Sequence, residues 1–514
     1  MSDRTLYALF DDTVAAHPHD IALEVGEERF SYAELSRLAD ALAARILQAR
    51  DGQVPARVGL LAARSPLAYV GYLAVQRLSG TVVPLNPIFP AERNTAIARA
   101  GRLELVLVEQ DGGDELPAPV MRLDGTLLAE LRASAQPALP ARSATVDDLA
   151  YILFTSGSTG VPKGVPVRHR NVSSYVEHVV ARYGIGPGSR LSQTFDLTFD
   201  PSVFDLFAAW ASGATLVVPS RGDLLAPVRF VNRKAITHWF SVPSIVSFAD
   251  RLHGLAAGSM PDLRWGLFAG EALTLQQARA WQHAAPGCTI ENIYGPTELT
   301  VTCTEYRLPA APADWPSTSN GTVPIGQVYP RLEHAVVDER GQPAHQGELC
   351  IRGPQRFPGY VDPADNINRF FEQTDAGFVS YNGSGPLTEQ HWYRTGDRVR
   401  RESGELVHLG RLDHQLKIRG YRVELGEIES VLRRQPGVRE AFVVPLDAAD
   451  GEIDLGAVYT GLEQDEGLLL EALRATLPTY MVPRRLVWRQ ELPLNVNGKV
   501  DRKAIAGTLA PIVT

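Results

Sequence analysis

The chain has 514 residues, with 59 acidic and 50 basic side chains and a formal net charge of −9. This length exceeds that of one ordinary domain and predicts at least two cored domains, which excludes a chain that works through disorder alone. The acidic balance offers no basic patch by composition and speaks against nucleic acid as the main partner, so any bound phosphate needs local donors and a cation.

The N-terminal stretch MSDRTLYALFDDTVAAHP has an acidic residue at position 3 and no sustained apolar core, and no apolar run approaches the length of a membrane span. Neither export nor a membrane partner is expected. Cys288, Cys303 and Cys350 lie far apart, with the spacing of neither a zinc site nor a disulfide framework, and a cytoplasmic setting follows as the expectation. FSYAELSRLADALAARIL, with Leu35, Leu38, Leu42 and Ile46 at helical spacing, predicts a helix, whereas RVGLLAA and GTVVPL predict short strands. Between about 110 and 145, QDGGDELPAPV and ASAQPALPARSATVDD read as surface connections within a domain. The α/β alternation continues to about 400, with strands expected at ATLVVPS and WGLFAGE and a helix at TLQQARAWQHAA. Beyond 400, GELVHLGR and HQLKIRGYRVEL look like paired strands, followed by the helix GEIESVLRRQ and the strand REAFVVPL, a small α+β unit. No internal repeat is visible.

One loop stands out. In FTSGSTGVPKGV, residues 154 to 165, the apolar run Tyr151 to Phe154 opens into hydroxyls, glycines and a lysine. Backbone N–H groups of such a turn and the hydroxyls of Thr155, Ser156, Ser158 and Thr159 can surround phosphate oxygens. Gly157 and Gly160 allow close approach, and Lys163 adds a mobile charge. A Walker-type loop is ruled out, because Lys163 follows Pro162 and precedes Gly164.

Seven further stretches fall in a familiar order: GTVVPLNPIFPAER (80–93), FDPSVFDLF (199–207), NIYGPTE (292–298), GELCIRGPQRFPGYV (347–361), YRTGDRVR (393–400), GRLDHQLKIRGYRVELGEIE (410–429) and LPLNVNGKVDR (492–502). With the phosphate loop they make the sequence resemble the adenylate-forming superfamily, and within it the amino-acid-activating domains of nonribosomal peptide synthesis. The resemblance implies an α/β fold, with a large N-terminal domain of packed sheets and helices (1–411) and a small mobile α+β domain (412–514) hinged near Asp413. It implies ATP with Mg2+ as cofactors. The phosphate loop would close over the β- and γ-phosphates, Tyr294 would stack on adenine, Thr297 would meet the α-phosphate and Glu298 would hold magnesium. Asn292 and Gly295 would complete the nucleotide site, Asp397 would accept both ribose hydroxyls, and Arg411 would approach the nucleotide. Lys499 would lie between the substrate carboxylate and the α-phosphate, where a cation lowers repulsion between two anions in the transition state. Because Lys499 and an incoming thiol cannot share one place, the small domain would rotate, withdrawing Lys499 and bringing in the strand around Lys417 to Gly420.

The same resemblance assigns Asp200 to the α-ammonium of an amino acid. Counting outward from the motifs, Pro201, Phe204, Phe240, Leu267, Ala269, Ile293, Val301 and Thr302 should line an almost wholly apolar side-chain pocket. The Leu267, Ala269 and Val301 portion resembles free-standing proline-activating enzymes, so L-proline or a similar small aliphatic or cyclic residue is the expected substrate. Few residues follow Lys503, and no Gly-Gly-x-Ser segment of a carrier is present. A free-standing enzyme that passes its product to the phosphopantetheine thiol of a separate carrier protein is therefore expected. Two other readings stand beside it: an acyl- or aryl-CoA ligase, which Asp200 disfavours, and a non-catalytic nucleotide-binding scaffold, which joint retention of Lys499, Glu298 and Asp397 disfavours.

Overall fold

A computed structural model describes residues 4–109, 112–135, 137–157, 162–413, 415–418, 420–447, 453–493 and 500–509. Three sheets build a large lobe. The first has nine strands, among which Ile21–Val25, Thr215–Val218, Arg190–Ser192, His238–Ser241, Trp265–Phe268 and Thr289–Tyr294 run parallel. The second has six strands, with Leu149–Thr155 between Thr81–Leu85 and Lys163–Arg168. The third is an antiparallel sheet centred on Trp392–Glu402.

The parallel strands are short, apolar runs because helices cover their faces. Tyr32–Ala49 is one such helix: the Ser31 hydroxyl caps it by accepting from the Glu34 N–H, and Leu35, Leu38, Leu42 and Ile46 are fully buried. Leu275–Ala284, in the stretch expected to be helical, starts on a Thr274–Gln277 capping box.

Two expectations change. The region from 110 to 145 is more than connection: Val120–Arg122 adds a parallel edge strand, and Leu127–Ala133 is a helix that buries Leu127 and Leu131. Two leucines four apart are enough to seat one short amphipathic helix in a proline-rich context. Likewise Glu405–Arg411 pairs with Trp392–Glu402, whereas Gln415–Ile418 pairs with Tyr421–Glu424 in a separate hairpin. The strand content is legible in the sequence, but the partner is not, since local alternation does not specify which edge a strand joins.

After Arg411 the chain forms a small lobe. It contains that hairpin, a sheet of Val438–Asp447, Ile453–Gly461 and Arg485–Trp488, and the helices Leu425–Arg433, Glu466–Thr476 and Arg502–Leu509. Its main core, from Ile418 to Leu486, draws on no residue of the large lobe. The expected α/β architecture of a large and a small lobe is what the structure has. Among the described residues no helix is long and apolar enough to cross a membrane.

Candidate active site

The parallel strands of the nine-stranded sheet end together, and the residues that follow them form the wall of one cavity. Phe195, Val242, Ala269, Gly270, Tyr294 and Gly295 come from that edge, Thr155 and Ser156 from the neighbouring sheet, and Lys417, Gly420 and Arg422 from the small lobe. A crevice at the carboxyl ends of parallel strands is where open α/β sheets bind ligands. A second cavity of about 430 Å³ adjoins it, lined by Asn292, Ile293, Tyr294, Asp397, His408 and Arg411 among others.

Asp200 stands at the start of the helix Pro201–Trp210, and its side chain makes no capping bond. Its Oδ2 is buried without a hydrogen-bond partner. Burial pushes the carboxyl up to about 7, against the opposing influence of the Lys417 ammonium and the Thr297 hydroxyl. An acceptor held this way at a cavity wall suits a cationic or hydrogen-bond-donating guest.

Asp397 is the opposite case. Its Oδ2 accepts from the Tyr294 hydroxyl (2.6 Å) and faces Arg411 Nη1 (3.2 Å), while Oδ1 meets His408 Nε2 (2.9 Å). Burial alone would raise its pKa, but Arg411 and then His408 more than offset it, holding the carboxyl well below the usual range. Arg411 in turn makes a two-pronged pair with Asp413, at 2.8 Å for both contacts. Asn292 donates to the carbonyls of Val323 and Pro324 and so holds two segments together beside the second cavity.

Glu298, on the single turn Thr297–Leu299, is fully buried. It accepts from the Tyr360 hydroxyl (2.6 Å), and Arg422 Nη1 lies 2.9 and 3.0 Å from its two oxygens. Burial opposes its ionisation, yet Arg422 and Tyr360 together hold the carboxyl below its ordinary range. Among the described residues no group of three His, Cys, Asp or Glu side chains could hold a metal ion. Glu298 does not itself line the cavity but sits behind Arg422, which does, beside Thr297; one carboxylate there suits a hard cation that arrives with its own phosphate oxygens.

Ser158, Thr159, Gly160 and Lys499 lie outside the described residues. Gly157 is buried beside the cavity-lining Ser156. Lys163 pairs across the hairpin with Thr155, but its ammonium binds Asp365 (2.7 Å) and sits over the Tyr360 ring, outside the cavity wall. Lys417 points inward from the hairpin, with its Nζ 5.9 Å from the centre of the Tyr294 ring. Burial lowers its pKa, partly countered by Asp397 and Asp200.

Of the side-chain pocket expected from sequence, Pro201, Ala269 and Val301 line the main cavity and Ile293 the second. Phe204, Phe240, Leu267 and Thr302 are buried in the layer behind. Phe240 packs against Phe195 and Phe204 at ring distances of 4.8 and 5.0 Å, and the Thr302 hydroxyl is engaged by those of Tyr329 and Tyr175. Val301 has φ +69° directly after Thr300 at φ +61°, a left-handed conformation that β-branched residues rarely adopt. Gly295 makes this possible, since a Cβ there would fall 2.5 Å from Thr302 Cα. Val301→Gly is expected to relieve strain and enlarge the cavity, shifting relative kcat/KM toward aliphatic side chains one or two carbons longer by about 10- to 100-fold. A graded substrate series measures this.

Several residues of the site escape sequence reasoning. His408, Phe195, Val242 and Glu271 carry no local signal. Arg422 and Glu427 lie within a quoted motif but have no role until the lobes are packed together.

Comparison with known proteins shows the family. Residues 10–361 match the family described as AMP-binding enzyme, and residues 427–499 match the AMP-binding enzyme C-terminal domain. A linear gramicidin synthase of Brevibacillus parabrevis is 35% identical over 97% of this chain, which spans only 6% of that synthase. The D-alanine–D-alanyl carrier protein ligase of Bacillus licheniformis is 30% identical, covering 95% of this chain and 96% of the ligase. The solved Vibrio cholerae adenylation domain AlmE, in complex with glycyl-adenosine-5'-phosphate, is 28% identical with a TM-score of 0.81, over 99% of this chain and 98% of that one. The chain therefore belongs to the AMP-binding enzyme family, the adenylate-forming ligases, with nonribosomal peptide synthetases among its relatives.

Proposed function

We propose that the chain activates an α-amino acid with MgATP and passes the aminoacyl group to the phosphopantetheine thiol of a carrier protein. A carboxylate oxygen of the amino acid attacks the α-phosphorus, and pyrophosphate leaves. The thiol then attacks the acyl carbon, loses its proton, and AMP leaves. The observation that carries this reading is the buried, unpartnered Oδ2 of Asp200 in a cavity shared with Thr155, Ser156 and Thr297. An ammonium satisfies that oxygen, whereas an amine-free acid leaves it unpaired.

In this reading Tyr294 and Asn292 hold the adenine side and Asp397 accepts the ribose diol. The two hydroxyls take over from the Tyr294 and His408 donors, so the carboxylate stays satisfied throughout. Thr297 and the phosphate loop from Thr155 to Gly160 hold the phosphates, Glu298 holds the magnesium that arrives with ATP, and Lys499 bridges carboxylate and α-phosphate. Magnesium held at Glu298 would supply charge neutralisation to the pyrophosphate. Domains of 1–411 and 412–514 turn about Asp413, whose pair with Arg411 restrains the present orientation. In the present orientation, the one reached after that turn, Lys417 supplies the cation facing the adenylate during transfer.

A further cavity of about 530 Å³ shares Phe195, Phe199, Val242 and Tyr421 with the main one and is also lined by Leu225 and Arg251, which suits the approach of a long thiol arm. Of the three relatives above, one is a ligase of D-alanine and one is solved with a glycyl adenylate, both small, which supports L-proline or a similarly small aliphatic or cyclic residue as the substrate. The test is amino-acid-dependent ATP–pyrophosphate exchange with proline, its homologues, small aliphatic amino acids and their amine-free counterparts. Exchange is expected with one of the small amino acids. Exchange with amine-free acids alone would overturn the reading in favour of an acyl- or aryl-CoA ligase.

A further inference from the structure

We propose that Phe195 plugs the side-chain pocket and so limits the substrate to a short side chain, and that Gln193 is the positioning residue that holds it there. This deepens the proposed function, on which it rests, by assigning the size limit to two residues outside every motif.

The strand Arg190–Ser192 ends just before them, and the Gln193 N–H continues its ladder by donating to the Val217 carbonyl (2.9 Å). The Gln193 side chain is fully buried. Its Oε1 accepts from the Tyr69 hydroxyl (2.9 Å), and its Nε2 donates to the carbonyl of Phe195. Tyr69 therefore fixes which end of the amide is the acceptor and leaves the other end to hold the Phe195 backbone. Arg64 Nη1 reaches the carbonyls of Gln193 and Thr194, both at 3.2 Å, and the Thr194 hydroxyl donates to the carbonyl of Phe240. Such a buried network sets one conformation for the turn, because each broken member leaves a polar group unpaired away from water.

What the turn presents is a phenyl ring. Phe195 lines the main cavity, its ring 4.8 Å from that of Phe240, which in turn lies 5.0 Å from that of Phe204. Phe204 and Phe240 do not line that cavity, whereas Pro201, Ala269 and Val301 do. The Phe195 ring thus takes up depth that Phe204 and Phe240 would otherwise bound. A filled volume rejects a longer side chain by overlap, and a close-packed wall yields only at a cost.

The test is amino-acid-dependent ATP–pyrophosphate exchange over a linear series from glycine to norleucine, with phenylalanine added and every kcat/KM divided by that of the best short substrate. In the wild type the ratios for norleucine and phenylalanine are expected to be low; a preference for these long members overturns the plug outright. Phe195→Ala should raise both ratios at least about 10-fold, and Phe195→Leu should shift them the same way by less. Gln193→Met keeps the volume and removes both side-chain hydrogen bonds, and should raise the ratios about 2- to 10-fold, the scale of one buried hydrogen bond. Combined with Phe195→Ala it should add nothing, since the glutamine acts through the ring. Should Phe195→Ala not fold, Phe195→Leu and Gln193→Met decide. A glutamine that only stabilises the fold would lower activity on all substrates alike, and unchanged ratios in Gln193→Met, or an additive double variant, overturn its role. Unchanged ratios in the Phe195 variants overturn the plug. So does a change confined to the KM for pantetheine as acceptor thiol, which would assign Phe195 to the thiol cavity that it also lines. Failure of the wild type with every amino acid sinks the proposed function, whereas wild-type exchange with unaltered selectivity in the variants sinks only the roles of Phe195 and Gln193.

Discussion

Lys499→Ala is expected to slow adenylate formation about 100- to 1,000-fold while ATP binding changes by less than about threefold. A cation between two approaching anions contributes mostly where their charges converge, in the transition state, so its removal appears in rate rather than in nucleotide affinity. Thiol transfer from a preformed adenylate should be spared, because in the orientation described here the inward lysine is Lys417, on the Gln415–Ile418 strand. Pyrophosphate exchange, calorimetric ATP binding and single-turnover transfer separate the three quantities. An unchanged exchange rate would remove Lys499 from the mechanism.

Asp200→Ala is expected to lower kcat/KM for the cognate amino acid about 100- to 1,000-fold and to leave its amine-free analogue much less affected, since an ammonium without its carboxylate costs about 3–5 kcal/mol. The pH dependence gives a sharper signature. The Asp200 carboxyl titrates near 7, against an ordinary value of 3.8, chiefly because it is buried. Its folded-state pKa is raised, so the stability it contributes is fully present below about 3.8 and is lost as pH rises through 7. Asp200→Asn should therefore stabilise the ligand-free protein at pH 8, by about 2 kcal/mol after allowing for solvent in the cavity, and flatten the slope of stability against pH between those values. In wild type, pairing with an ammonium needs the ionised carboxylate. Amino acid kcat/KM should then rise about tenfold per pH unit below 7 and level off above it, a limb that the amine-free acid lacks. Melting curves and substrate profiles across pH 5 to 9 check both halves. Equal losses on the two substrates in Asp200→Ala would reject the pairing.

Much of this molecule is legible from residues alone because its signals are local. The spacing of Leu35, Leu38, Leu42 and Ile46 places a helix whichever way it packs, and the apolar run into Phe154 places a strand. The motifs carry their chemistry in residue type: a carboxylate, a tyrosine or a hydroxyl-rich loop can serve only a few purposes. Partners distant in sequence are not legible. The hairpin at 415–424 and the strand Glu405–Arg411 look alike in pattern and join different neighbours. Phe204 and Phe240 read as pocket wall, yet Phe195, from a loop with no motif of its own, stands in front of them.

Fold class, the order of the elements and the kinds of polar groups brought to the cavity follow from the linear chain, because periodicity and side-chain identity act over a few residues. That Asp200 keeps an unpaired oxygen while Asp397 is saturated with donors, and that Arg422 reaches Glu298, emerges in the folded molecule and nowhere earlier. Those outcomes depend on desolvation and, for Glu298 and Arg422, on charges more than a hundred residues apart in sequence, and both quantities exist only once the chain has folded.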